Sequence, residues 1–254
     1  EPMGASAATE TPGQPEPELF LQPVAYKNPF EEAFTQLARA IRLGVVGVGE
    51  KFPPERVLSE RLGVSRTTVR EAIRGLEQSG YITTRRGRYG GTFVLRDEPL
   101  LPVKKNGRGK IGPELVEVLD FRGAIEPGAV ALAARKAEGD QAERMREMVA
   151  AMKAGGPDTF LRDNCRLHIM FAQAAACEPL LAAVTTVELE IMDAFVETPE
   201  LNPSEARSHT QHQEIVEAIA AGDADGARAA MEAHLGGTDI IMRELATPKR
   251  RRRR

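Results

Sequence analysis

A chain of 254 residues with 42% apolar residues is long enough for one large domain or two ordinary ones, and it can supply a sizeable core. No apolar stretch approaches the roughly 20 residues that cross a bilayer, and no basic segment followed by an apolar one opens the chain as a secretory signal would, so the expectation is a soluble cytoplasmic protein. The formal charge of −3 conceals an asymmetry: residues 51–96 hold ten Lys/Arg against four acids, residues 111–246 hold eleven against twenty-four, and only the first segment suits a polyanion.

Residues 1–26 are rich in Pro, Ala, Glu and Thr without apolar periodicity and read as disordered. Order begins at Asn28-Pro29-Phe30-Glu31, where Asn suits a helix N-cap, Pro the first helical position and Glu the first turn. Phe30, Phe34, Leu37 and Ile41 then recur at helical spacing, and Gly44 to Gly49 ends that helix. A short helix follows over about 54–62 with Gly63 as its stop, and another over about 65–79 with Gly80 after it. Tyr81 to Thr84 and Thr92 to Leu95 read as two strands around a turn. Residues 97–113, containing Pro, Gly and Lys without a period, form a linker. From Glu114 the pattern is helical throughout, over about 114–137, 140–154, 157–176, 179–197, 204–221 and 223–245, with Gly and Pro as punctuation. The tail 247–254 is Lys249 and five Arg after Thr-Pro, too biased to fold.

The fold class expected is therefore mainly α. A small module of three helices and a β-hairpin (27–96) precedes an all-α bundle (114–246). Cys165 and Cys177 fit no zinc spacing and read as small buried hydrophobes.

Helix, Gly63-containing turn, helix is helix-turn-helix geometry, in which the N-terminal residues of the second helix reach base edges. Those residues are Ser65-Arg66-Thr67-Thr68, with Arg70 one turn after Arg66. Arg forks match guanine, while hydroxyls and amides at a helix N-terminus suit phosphates. Val69, Ile73 and Leu76 form the buried stripe opposite. Arg85 to Gly91 makes a basic hairpin loop.

The run Phe52–Ile73, FPPERVLSERLGVSRTTVREAI, resembles the winged-helix signature of GntR-type bacterial regulators. The resemblance continues through Leu76–Ile82 and Gly90–Val94. It implies a winged helix-turn-helix, with Arg56, Ser65, Arg66, Thr67, Thr68, Arg70, Arg86 and Gly87 as DNA contacts. Pro54 departs from the Ser usual there, which removes a capping hydroxyl.

All four histidines fall in the helical segment. Asn164 and His168 lie four apart on one helix face, with His212 and His234 on two further helices, so three helices can converge inside a bundle. Imidazole suits Zn, Ni, Fe or Mn. His209 reads as a spare ligand or an ordinary helix-start residue. Leu119–Pro127, LDFRGAIEP, resembles the opening helix of the FadR-type (FCD) ligand-binding domain, and the segments around His168, His212 and His234 are similar to its later helices. That resemblance implies a divalent metal held by Asn164, His168, His212 and His234, with Asn164 standing where the family has Asp. It implies a small organic acid as effector. Arg122 is the candidate for the effector's carboxylate, its alternative being an internal salt bridge with an acid such as Glu126.

The reading is of a homodimeric regulator, not an enzyme, that binds an inverted-repeat DNA operator as a repressor and is controlled by the effector through the 97–113 linker. The alternatives are a constitutive dimeric DNA-binding protein without metal or effector and, more remotely, a metal-dependent enzyme.

Overall fold

The computed structural model describes residues 28–87, 89–96, 113–197 and 205–246. The N-terminal segment 1–26, linker residues 97–112 and the tail 247–254 lie outside the described residues.

Helix α1 (Pro29–Arg42) starts as its sequence dictates. The Asn28 side chain accepts from the Phe30 amide at 3.0 Å, Pro29 opens the helix, and Glu31 and Glu32 face the positive end of its dipole. Ala33, Leu37 and Ile41 are buried, with Phe30 and Phe34 packed against them. Helix α2 (Glu55–Leu62) has Pro54 at its N-cap and no side-chain cap there, the cost foreseen from the missing hydroxyl. It ends at Gly63, whose φ of +64° only glycine adopts without penalty. Helix α3 (Arg66–Gln78) is capped by Ser65, which accepts from the Thr68 amide at 3.1 Å. Its buried stripe is Val69, Ala72, Ile73 and Leu76.

Strands β1 (Ile82–Arg85) and β2 (Gly91–Val94) pair antiparallel, with Ile82 opposite Val94 and Arg85 opposite Gly91. Each is displaced by one residue from the expected span. Tyr81, expected as the first strand residue, instead buries its ring in the core beside Leu76 and Phe52. The backbone of residues 49–52 also bonds to β2, with the Phe52 amide donating to the Thr92 carbonyl at 2.8 Å and the Gly49 amide to the Val94 carbonyl at 2.8 Å. That third edge steadies the hairpin and was not read from the sequence.

Six helices follow as expected: α4 (Pro113–Lys136), α5 (Gln141–Gly155), α6 (Pro157–Ala174), α7 (Glu178–Glu197), α8 (Glu205–Ala220) and α9 (Ala224–Ala246). Helix α4 packs against α6, α7, α8 and α9 and is the central rod of the bundle. The main core joins Val130, Met145, Met152, Phe160, Leu167, Phe171, Ile215 and Met231. Burying each of the larger of these side chains contributes about 1.5–3 kcal/mol. Among the described residues no helix is long and apolar enough to cross a membrane.

The first module touches the bundle directly. Leu43, just past the end of α1, is buried against Cys165 of α6 and Leu189 and Met192 of α7. Beside it Arg42 grips the Asp193 carboxylate with both terminal nitrogens, the Nη1 bond being 3.3 Å.

Candidate functional site

The outer face of α3 carries Arg66, Thr67, Arg70 and Arg74, all exposed, while its inner face is fixed by the core. This is the presentation that major-groove reading requires. The hydroxyl groups of Ser65 and Thr68 are 2.8 Å apart, so both serve the cap as well as the surface. Arg70 is bidentate to Glu55 of α2, at 3.2 Å from Nε and 2.7 Å from Nη2. Its guanidinium holds the Glu55 carboxyl below the ordinary range, although partial burial opposes this. Arg56 lies on α2 and pairs with Glu60 at 2.7 Å. Arg86 and Gly87 are exposed at the hairpin turn, where Gly87 takes φ +104°. All the expected DNA contacts but Thr68, which is half-buried, are thus exposed, and Arg56 and Arg70 also have carboxylate partners within the module.

The second site lies inside the bundle. His168 of α6, His212 of α8 and His234 of α9 are buried and converge. The Nε2 atoms of His168 and His234 are 3.2 Å apart, and those of His212 and His234 are also 3.2 Å apart. Three nitrogens bound at about 2.1 Å to one tetrahedral or octahedral ion stand about 3.0–3.4 Å from each other. Without an ion, one nitrogen of each such pair must carry the N–H and donate to the lone pair of the other. Burial, reinforced by the other imidazoles and Arg122, pushes the pKa values of His212 and His234 well below the ordinary value, so both are neutral, the form that ligates. The donor set therefore fits a divalent ion.

Behind the histidines stands a charged cluster. Glu126 Oε2 is 2.5 Å from His168 Nδ1, while Glu126 Oε1 accepts from Arg122 Nε at 2.8 Å. Glu188 of α7 brings Oε1 to 2.7 Å from Arg122 Nη2. All four side chains are essentially buried. Burial alone would raise the Glu126 pKa, but Arg122 and His168 overcome it and hold this carboxyl well below its ordinary value. Glu188 responds oppositely. Burial, with Glu126 alongside, outweighs Arg122 and raises it to about 7. Against an ionised Glu126, His168 Nδ1 donates, which fixes the ring with Nε2 toward His234.

Arg122, expected to face an effector's carboxylate, is thus paired with two internal ones. Asn164 lies on α6 one turn before His168 and is half-buried. Asp163, its neighbour, faces Arg162 and Arg166 at 3.7 and 3.5 Å. His209 is not one of the converging triplet; it lies edge-on to Phe160 with ring centres 5.6 Å apart, near enough to His212 to help lower its pKa. Cys165 is buried and Cys177 half-buried, and both are free. Sequence reasoning missed Glu188. The available signal was a lone acid inside the apolar run Leu180 to Leu189.

Comparison with known proteins shows the family of both segments. Residues 29–94 match the model described as "Bacterial regulatory proteins, gntR family", and residues 117–237 match the "FCD domain". The HTH-type transcriptional regulator Mce2R of Mycobacterium tuberculosis is 30% identical over 233 residues, covering 84% of this chain and 91% of that protein. An Escherichia coli protein provisionally named as the L-lactate dehydrogenase operon regulatory protein is 30% identical over 215 residues, covering 78% of this chain and 80% of that one. The solved structure of E. coli McbR/YncC superposes with a TM-score of 0.50 at 18% identity, covering 87% of this chain and 100% of that chain, a likeness of fold alone. The chain belongs to the GntR family of bacterial regulatory proteins, with an FCD domain behind its helix-turn-helix, and is a DNA-binding transcriptional regulator.

Proposed function

We propose that the helical domain holds a divalent metal ion on His168, His212 and His234, and that a small carboxylate bound there with the help of Arg122 sets the affinity of the reader for DNA. The observation that carries the reading is the convergence of three buried imidazoles, with His234 Nε2 at 3.2 Å from the Nε2 atoms of both His168 and His212 and the three ligand atoms within 4.8 Å of one another. When bound, the ion supplies a Lewis-acid centre to which a carboxylate or hydroxyl oxygen coordinates. Asn164 can add a carbonyl oxygen but no charge. Glu126 holds His168 in the ligating tautomer, and Arg122 supplies a fork that matches a carboxylate. Zn, Ni and Mn all suit the donors.

At the other end, Arg66 and Arg70 read bases while Ser65, Thr67, Thr68, Arg56, Arg86 and Gly87 hold the backbone. The chain works in the cytoplasm as a homodimer on an inverted repeat, and represses until the effector arrives. The name of the E. coli relative makes L-lactate the first effector to try.

The test is to select the operator from random duplex DNA, then titrate L-lactate and related 2-hydroxy acids into the metal-loaded complex. The expected result is a fall in operator affinity of about 5-fold to 150-fold, the range of ordinary coupling energies. Operator affinity that no small acid alters, with or without metal, would overturn the effector reading and leave a constitutive DNA-binding protein.

A further inference from the structure

Two helices of the bundle face both ways. Helix α6 carries His168 of the metal-capable triplet and Cys165 of the seat for Leu43, three residues earlier. Helix α7 carries Glu188 on Arg122, and the next residue, Leu189, belongs to that seat with Met192 and Asp193. Cys165 lies between the two. It packs on Leu43, and its thiol is pushed up first by burial and then by Glu188. Arg162 and Arg166 close the edge of the seat, within 4 Å of where a side chain at Gly44 would begin. The reader is therefore clamped on the same two helices that carry parts of the inner site.

Within that site the two carboxylates are not held equally. Glu126 is anchored twice, by a directed bond from Arg122 Nε and by His168. Glu188 Oε1 approaches Arg122 Nη2 to 2.7 Å but completes no directed hydrogen bond. Above about pH 7 it is a carboxylate on a guanidinium, chemically the same partner that an organic acid offers, and Glu126 beside it on the same cation weakens its hold.

We propose that Glu188 is the internal occupant of the effector's place on Arg122, and that its displacement loosens the α6–α7 seat on which Leu43 and Arg42 dock the DNA reader. This rests on the carboxylate reading above. An acid arriving at Arg122 takes the Nη2 edge from Glu188. Parted from Arg122, the buried Glu188 either takes up a proton or turns toward water, and either way α7 loses its ion pair to α4, so the face of α7 that carries the seat repacks. Effector chemistry at Arg122 thereby becomes movement of the reader through direct packing, without the linker as the only route.

The experiment uses the full chain with Cys177→Ser, spin-labelled at Glu71→Cys on α3 and Glu147→Cys on α5 and diluted with unlabelled protein. Both label positions are exposed. Pulsed distance measurement in the unliganded protein at about pH 8.5, where Glu188 is ionised, should give one narrow reader-to-bundle distance. Leu43→Asp, which breaks the seat, should broaden it. Glu188→Gln should do the same, raising the undocked population about fivefold or more, while Glu188→Asp, which keeps the charge, should stay docked. A Glu188→Gln distribution identical to the unsubstituted one, with Leu43→Asp broadened, overturns the proposal. Equal broadening by Gln and Asp, or loss of helix content in both, assigns Glu188 to packing and also overturns it. Adding millimolar L-lactate should reproduce the Glu188→Gln distribution in the unsubstituted chain. If neither L-lactate nor any other 2-hydroxy acid does so while Glu188→Gln still undocks, the carboxylate effector falls and the link from Glu188 to the reader stands.

Discussion

Glu126 Oε2 lies 2.5 Å from Nδ1 of His168, and that contact decides which nitrogen of the imidazole is offered to His234 and His212. A carboxylate behind a ligating histidine raises its basicity and fixes its ring. Removing such a partner typically costs 10-fold to 100-fold in metal affinity. Glu126→Gln should therefore weaken zinc or nickel binding by about that factor without abolishing it, whereas His234→Ala should abolish it. Isothermal titration of the metal-stripped protein reads both. Unchanged affinity in Glu126→Gln would show that His168 is oriented by packing alone.

The pH dependence of the metal-stripped protein follows from the signs of three shifts. His212 and His234 have depressed pKa values, so below about pH 6.5 the unfolded chain takes up two protons that the folded one refuses, and stability falls as pH falls. Glu188, raised to about 7, works the other way: the folded chain keeps a proton that the unfolded one has lost above about pH 4.5. Two protons against one leave a net loss of about 1.4 kcal/mol per pH unit on going from about pH 6 to about pH 5. Glu188→Gln removes the opposing contribution and should steepen the slope toward twice that value. Urea denaturation across this range measures it, and a flat profile in the unsubstituted protein would contradict neutral buried histidines.

Arg66 and Arg70 share the exposed face of α3, but Arg70 is already bidentate to Glu55. Arg66→Ala should cost about 1–3 kcal/mol of operator binding and relax base preference at one position of each half-site. Arg86→Ala, at the hairpin, should weaken binding similarly across sequences and flatten the dependence on salt. Selection from random DNA with each variant distinguishes the two. A preference unaltered by Arg66→Ala would remove Arg66 from base reading.

Gly63 sits at φ +64° in the turn between α2 and α3, with open space where a side chain would go. The whole cost of Gly63→Ala is then conformational, about 1–2 kcal/mol, and Gly63→Asn should cost less. Thermal unfolding of the three proteins checks the order. Equal melting temperatures would mean that the turn can relax.

Much of this was legible in the sequence, and for local reasons. Asn28, Ser65, Gly63 and Gly80 are signals whose effect is confined to a few residues, and the helices fall where those signals put them. The three histidines were legible because helical spacing brings them to the inner faces of a bundle. Glu188 was not, because its burial depends on α7 packing against α4, and nothing near it in the chain encodes Arg122 as its partner. The pairing of residues 49–52 with β2 and the seat of Leu43 were hidden for the same reason. Each joins segments far apart in sequence, and Leu43 reads locally as the last apolar residue before a glycine turn.

The most direct test of the account is the metal content of the chain. Protein purified without an affinity tag or chelator and equilibrated with Zn, Ni or Mn should retain about one divalent ion per chain after dialysis, and His168→Ala should retain none. An unsubstituted protein that holds no ion under any of these conditions would contradict the account, leaving the three histidines as a buried polar cluster and Arg122 as part of a purely structural ion pair.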